Sequence, residues 1–257
     1  MRGNPLKEKL ARGERAFGTM VFEFASPGLP AIAKAAGADY LLYDMEHSGL
    51  SLDQIKGQIA AARGLDLPVL VRPAAKQYHL TSLLLDQGAM GLMFPMVESA
   101  EEAKELVSWT RYPPRGVRGA AFGIAHDDYA AGDVREKIAV AERRTLILAL
   151  IETSQGLENV EEILAVDGID AVHIGQFDLS LSLGQPGDIG HPQVAGGIDR
   201  VAEAARAAGK PAACMVPDAE TGRAWIARGY SMMSVSADLW LLQEGLRRGI
   251  AALRDTG

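Results

Sequence analysis

The chain has 257 residues, 48% of them hydrophobic, and a formal net charge of −7 from 26 Lys and Arg against 33 Asp and Glu. That length and apolar content suit one large α/β barrel or two small domains, and scattered basic residues in an acidic chain argue against a nucleic-acid or anionic-membrane surface. The single cysteine, Cys214, lies in an apolar run, which excludes an internal disulfide and leads us to expect a buried structural thiol in a reducing, cytoplasmic setting.

In chain order, residues 1–12 are mixed in charge and lack a signal-peptide core, and no apolar stretch approaches the roughly 20 residues of a membrane span. Short apolar strands are then expected near 18–24, 39–44, 67–72, 90–94, 145–151, 170–175, 210–215 and 231–236. Helical patterns follow them near 27–36, 51–63, 76–87, 98–110, 154–165, 191–208, 218–228 and 237–253. Ser51 with Gln54 reads as a capping box, and Ser99 opens the helix that carries Glu101 and Glu102. Gly37, Gly64, Gly88, Gly209 and Gly229 each sit just past a helix, where a left-handed residue is wanted. Eight strand–helix units in this length predict a single-domain (β/α)8 TIM barrel over 1–257, with long loops at 111–133 and 184–192. A doubly wound sheet shares the alternation, but the turn after the first strand, Phe24-Ala-Ser-Pro-Gly28, lacks a dinucleotide fingerprint, and no phosphate loop of the Walker type occurs.

Several strands end in titratable residues, at the end of a parallel barrel where chemistry is done. The second strand runs into Asp44, Glu46 and His47, the third into Arg72, the fifth into Glu152, and the sixth is followed by Asp178. Leu146, Leu148, Leu150 and Glu152 share a strand face, which places Glu152 at the barrel mouth with Asp178 reaching it from the next unit. Two carboxylates suit Mg²⁺ or Mn²⁺, and the same acids also read as helix caps. Arg72 is placed to hold a carboxylate or an enolate oxyanion, or to pair with a neighbouring acid. His47, in the loop opened by Gly49, is the candidate general base. His173, inside a strand, reads as core, whereas His79, His126 and His191 read as loop or helix-start residues. No lysine falls on an inward position at a strand's C-terminal end, which disfavours a Schiff base and favours metal-stabilised enolate chemistry.

These residues carry a resemblance. Leu42-Tyr-Asp-Met-Glu-His47, Val71-Arg-Pro73, Phe94-Pro-Met-Val97, Arg111-Tyr-Pro-Pro-Arg-Gly-Val-Arg-Gly119, Ile151-Glu-Thr153 and Ile174-Gly-Gln-Phe-Asp-Leu-Ser180 fall in this order, and most of them sit at strand ends. Together they resemble the HpcH/HpaI aldolases, the class II pyruvate aldolases, over nearly the whole chain. The resemblance implies a divalent cation (Mg²⁺ or Mn²⁺, with Co²⁺ a further candidate) and a homo-oligomer, a hexamer built as paired trimers. It implies reversible cleavage of a 4-hydroxy-2-oxo acid to pyruvate and an aldehyde. By position it assigns Glu152 and Asp178 to the metal, His47 to the general base and Arg72 to the enolate. It assigns the amides around Phe177 and Asp178 to the pyruvate carboxylate, and Asp86 to raising the basicity of the histidine.

Asp86 closes the third helix, at the far end of the barrel from His47, so a neighbouring subunit or a shortened helix would be needed to bring them together; Asp44 is the easier partner by position. The chain departs from the family pattern at Leu150, where a glutamine is common, and at Phe177, where a small residue is usual. It also departs in the loop after Gly119, whose His126, Asp127 and Asp128 are expected to line the acceptor side and to favour a neutral or hydroxylated aldehyde. Rival readings are a 2-oxo acid decarboxylase, an acyl-CoA lyase on a related barrel, and a silent barrel that only binds a 2-oxo acid. The acyl-CoA reading lacks the concentrated basic cluster that a nucleotide would need.

Overall fold

The computed structural model describes residues 1–254, so the last three residues of the expected 1–257 domain lie outside the described residues. Helix α1 (Pro5–Ala11) precedes β1 (Ala16–Val21), α2 (Leu29–Ala35), β2 (Tyr40–Asp44), α3 (Leu52–Ala62) and β3 (Val69–Arg72). Then come α4 (Tyr78–Gln87), β4 (Gly91–Phe94), α5 (Ala100–Thr110), α6 (Val134–Arg144), β5 (Leu146–Ile151), α7 (Ser154–Glu158) and α8 (Val160–Ala165). The chain continues through β6 (Ala171–Ile174), α9 (Gln176–Ser182), α10 (Pro192–Ala207), β7 (Ala212–Val216), α11 (Ala219–Arg228), β8 (Met232–Ala237) and α12 (Asp238–Arg254). The eight strands pair in parallel in sequence order, and β8 returns to β1, closing the expected barrel.

Alternation along each strand splits the core in two. Leu41, Tyr43, Val69, Val71, Ile147 and Ile151 face the helices, where they pack with residues such as Ile55, Leu84 and Ile198. Tyr40, Leu42, Leu70, Leu146, Leu148, Leu150 and Ala171 fill the barrel interior. Inside, Tyr40 and Ser234 join their hydroxyls at 3.0 Å. Each of these buried leucines contributes about 1.5–3 kcal/mol relative to an exposed one. The same inward parity, carried two residues further, delivers Asp44, Arg72 and Glu152 to the mouth.

Local expectations hold at Ser51, whose capping box with Gln54 is complete, and at Ser99, whose hydroxyl accepts the Glu102 amide at 3.1 Å. Gly88 and Gly229 close α4 and α11 with φ of 104° and 109°, as their positions require. Gly64 does not play that part: a 3₁₀ turn extends α3 through Arg63–Leu65, and Asp66 takes the left-handed turn with φ 49°. The first strand stops at Val21 rather than 24, because the Asp238 carboxylate takes the amides of Phe22, Glu23 and Phe24 at 3.0, 3.0 and 2.7 Å. The expected 154–165 helix is two helices that meet at Asn159, whose side chain donates to the Glu98 carbonyl at 2.7 Å. Helices α1, α6 and α9 add to the eight-unit rhythm. Cys214 is buried in β7 as expected, and burial pushes its thiol pKa well up. Among the described residues no helix is long and apolar enough to cross a membrane.

Candidate active site

At the C-terminal end of the barrel β2 and β3 run in register, with Asp44 opposite Arg72. Asp44 is fully buried, and its carboxylate takes the Arg72 guanidinium in a two-point pair, Nε to Oδ1 at 3.1 Å and Nη2 to Oδ2. Glu46 adds an ion pair to Arg72 Nη1 at 3.2 Å. Burial works against the guanidinium charge, but the Asp44 hydrogen bonds and the charges of Asp44, Glu46 and Glu152 outweigh it, holding the Arg72 pKa above its ordinary value. Asp44 Oδ1 also accepts the amides of Glu46 and His47 at 2.7 and 3.2 Å. One carboxylate therefore fixes both the guanidinium and the loop that carries the imidazole. The His47 ring itself is exposed, with Nε2 3.8 Å from Glu46 Oε2.

Glu152 follows β5 and is only 4% exposed. Its Oε1 accepts the Met96 amide at 2.7 Å, from a loop in which Met96 takes φ 49°. Burial pushes the Glu152 carboxyl up to about 7; the Met96 amide and Arg72 oppose this, while the charges of Asp178 and Glu46 add to it. The approach of β6 to Glu152 needs a glycine: a methyl group built on Gly175 would lie 2.7 Å from Glu152 Cβ and Oε2. Asp178 stands exposed in the first turn of α9, beside Phe177, which is 62% exposed.

A cavity of about 780 Å³ opens here, and His47, Arg72, Leu150, Glu152, Phe177 and Asp178 all line it. Its lining also includes Met20, Met93 and Met215, together with His173, and among the described residues no lysine lines it. A second cavity, of about 570 Å³, includes Lys7, Arg115 and Asp170 in its wall, and these charges are engaged in ion pairs: Lys7 with Asp170, Arg115 with Glu142 and Asp167.

Other expected residues lie elsewhere. Asp44 holds the His47 backbone and leaves the ring to Glu46, because both of its oxygens are committed to Arg72. Asp86 is absent from the cavity wall and pairs with Arg118 at 2.7 Å; α4 runs on to Gln87, so a shortened helix does not bring Asp86 to His47. The loop after Gly119 does not reach the cavity within this chain, which removes the premise for a neutral acceptor. His126 is buried, with Nε2 2.6 Å from the Ala121 carbonyl. Asp127 pairs with Lys137 at 2.6 Å, and Asp128 with Arg2 at 3.0 Å, an arrangement that packs the loop against α4 and Arg63. Sequence reading passed over Glu46 as a partner of His47, the Met96 amide, and His173 as part of the cavity wall. The parity of β6 signals the last of these, since Ala171 and His173 share its inward face.

A model of the HpcH/HpaI aldolase/citrate lyase family matches residues 19–244. The chain belongs to the HpcH/HpaI aldolase/citrate lyase family. It is thereby an enzyme, a lyase. It is 38% identical to a 2-keto-3-deoxy-L-rhamnonate aldolase of Klebsiella pneumoniae, over 98% of this chain and 93% of the relative. It is 36% identical to a hydroxypyruvate/pyruvate aldolase of Roseovarius nubinhibens, over 98% and 97% of the two chains. The crystal structure of an HpcH/HpaI aldolase from Desulfitobacterium hafniense superposes with a TM-score of 0.92 at 32% identity, covering 97% of this chain and 96% of the other. Among the described residues of this HpcH/HpaI protein, no three His, Cys, Asp or Glu side chains converge as a ready-made metal cluster. The acids that line the cavity mouth are Glu152 and Asp178.

Proposed function

We propose that this lyase is a divalent-cation-dependent aldolase that cleaves 4-hydroxy-2-oxo acids to pyruvate, or a related 2-oxo acid, and an aldehyde, and runs the addition in reverse. The observation that carries this reading is a single cavity that gathers the Glu152 and Asp178 carboxylates, the Arg72 guanidinium and the His47 imidazole. Relatives named as aldolases across nearly the whole chain support it.

The donor set fits a hard dication. Glu152 Oε1 is occupied by the Met96 amide, whereas among the described residues Oε2 accepts no hydrogen bond, and burial raises the carboxyl pKa to about 7, so a cation beside it would favour the ionised form. Glu152 and Asp178 would hold Mg²⁺, Mn²⁺ or Co²⁺, which take one or two carboxylates and complete their shell with water and substrate oxygens. Such a cation supplies Lewis-acid polarisation of the substrate ketone.

The chain's own residues do the rest. Arg72, locked by Asp44, presents fixed N–H donors where negative charge develops on the C2 oxygen. His47 takes the 4-hydroxyl proton; the C4–O bond becomes the aldehyde carbonyl as the C3–C4 bond breaks, and its electron pair forms the enolate. The same proton returned to C3 gives the methyl group of pyruvate. Glu46 Oε2 lies 3.8 Å from His47 Nε2 and flanks the ring. Among the described residues no lysine lines the cavity, which disfavours a Schiff base. The buried Cys214 thiol suits a reducing, cytoplasmic setting, and the assembly we infer is a homo-oligomer, a hexamer or trimer of dimers.

The test is a coupled pyruvate-release assay over a panel of 4-hydroxy-2-oxo acids. Turnover should stop with chelator, return with Mn²⁺, and vanish in Glu152→Gln. In His47→Ala it should fall by about 10²–10⁴-fold. Chelator-resistant turnover, or no release from any member of the panel, would overturn the reading; loss of CO₂ without aldehyde would point to decarboxylation.

A further inference from the structure

The cavity of about 570 Å³ lies at the N-terminal end of the barrel, at the opposite end of the strands from Glu152 and His47. Its wall draws Lys7 from α1, Arg111 and Arg115 from the turn after α5, Arg143 from α6 and Lys210 from the loop before β7. These five cations are scattered along the sequence and meet only in the fold. Three acids stand among them, Glu142, Asp167 and Asp170. In a chain with 33 Asp and Glu against 26 Lys and Arg, this wall inverts the overall balance and carries two positive charges in excess.

The acids are already committed. Glu142 and Asp167 each hold Arg115 at 3.1 Å. Asp170 holds Lys7 at 2.8 Å, and its other oxygen accepts the Ile147 amide at 2.8 Å. Arg111 is only 6% exposed, yet among the described residues it makes no ion pair; its Nη1 donates to the Glu142 carbonyl at 3.1 Å. Lys210 likewise donates to backbone carbonyls, those of Leu164 and Val166, and Arg143 is exposed on α6 without an ion pair among the described residues. A buried cation without a counter-ion is costly. Burial accordingly pushes the pKa values of Lys7, Arg111 and Lys210 below their ordinary ones, and the charge of Asp170 opposes this at all three. One carboxylate thus answers three cations, and the charge that completes the set comes from outside the chain.

A dianion matches the excess. A phosphate group carries about −1.5 to −2 near pH 7. Its oxygens can accept from a guanidinium fork and from ammonium groups that arrive from different elements, whereas a carboxylate offers two oxygens in one plane. The cavity has the size of a small-molecule site. We propose that it is a second ligand site that binds a phosphate dianion, as a small phosphate monoester or as inorganic phosphate, with Arg111 as the buried anchor and Arg143 and Lys210 beside it. The site stands independently of the aldolase reading.

Calorimetric titration of the Mg²⁺-loaded protein with inorganic phosphate, glycerol 3-phosphate and succinate tests this. Phosphate or its ester should bind saturably at submillimolar concentration, and more weakly as salt rises. Arg111→Gln should weaken that binding by about tenfold or more, the loss of one charge-assisted contact. Because Arg111 also ties its turn to α6, Arg143→Ser on the exposed side of that helix is the independent arm, with a smaller loss in the same direction. Phosphate affinity should be the same in Glu152→Gln, which separates this site from the cavity at the other end of the barrel. An ester bound about tenfold tighter than phosphate assigns the site to a metabolite; otherwise it is assigned to phosphate itself. No saturable binding of either by the wild type overturns the proposal, as does succinate bound as tightly as both. So does a phosphate affinity that is unchanged in Arg143→Ser or in a folded Arg111→Gln protein, or that is lost in Glu152→Gln.

Discussion

Glu152 Oε1 accepts the Met96 amide while burial holds the carboxyl up to about 7, against an ordinary value of 4.5. The proton is thus favoured by the folded state, and two consequences of opposite sign follow. In the cation-free protein this group makes the folded state bind more protons than the unfolded chain between those two values, so its contribution to stability falls as pH rises through that window. A dication requires the ionised carboxylate, so its affinity rises with pH over the upper part of the same window. Lowering the pH from 8 to 6 should weaken Mn²⁺ binding by about tenfold, because the proton then occupies most of the Glu152 sites. Calorimetric titration of Mn²⁺ at several pH values checks this. Glu152→Gln should bind weakly and without that slope, and a slope that survives in this variant would move the titrating group elsewhere.

The N-terminal helix shows how an element outside the strand–helix rhythm supports the barrel. Asn4 caps α1 by accepting the amides of Leu6 and Lys7, and its Nδ2 donates to the carbonyls of Met90 and Arg144 at 3.0 and 2.7 Å, tying the helix to the starts of β4 and β5. Asn4→Ala removes a cap and strands two carbonyls, at a cost of about 2–4 kcal/mol, while the cavity lies at the opposite end of those strands. Urea unfolding should show the loss with an unchanged m-value, and Mn²⁺ affinity should stay at the wild-type level. The signals for such elements were present in the sequence: Asn4-Pro5 is a cap followed by a first-turn proline, and Asp133 caps α6. They went unread because a one-strand, one-helix rhythm leaves no place for helices that precede β1 or lengthen a connection. The strands were legible because each is an apolar run, several of them ending in a charge, and Asp44, Arg72 and Glu152 followed from parity. Contacts made across the sequence were not legible: Met96 with Glu152, Asp238 with residues 22–24, and Asp127 with Lys137 are set by tertiary packing.

For the whole molecule, α12 raises the question of what covers it. Of its residues only Asp238 is buried, although Leu242, Leu246 and Ile250 recur at helical spacing and are 52%, 56% and 46% exposed. An apolar groove of about 660 Å³ adjoins it, walled by Phe17, Leu29, Ile32 and Val235 as well as by Leu241 and Leu242 of the helix. An apolar helix and an apolar wall left side by side in water mark an interaction surface. Because helix and groove are contiguous, a two-fold axis lets each copy seat its α12 in the other's groove, so the occupant we assign is a second copy of this chain. Light scattering on the purified protein should give an integral multiple of the chain mass at micromolar concentration. Paired Leu246→Glu and Ile250→Glu substitutions place two desolvated charges in that seam, and should release monomers with a melting temperature that no longer depends on protein concentration. A wild type that stays monomeric at those concentrations would reject the assignment, as would a double variant that keeps the wild-type mass.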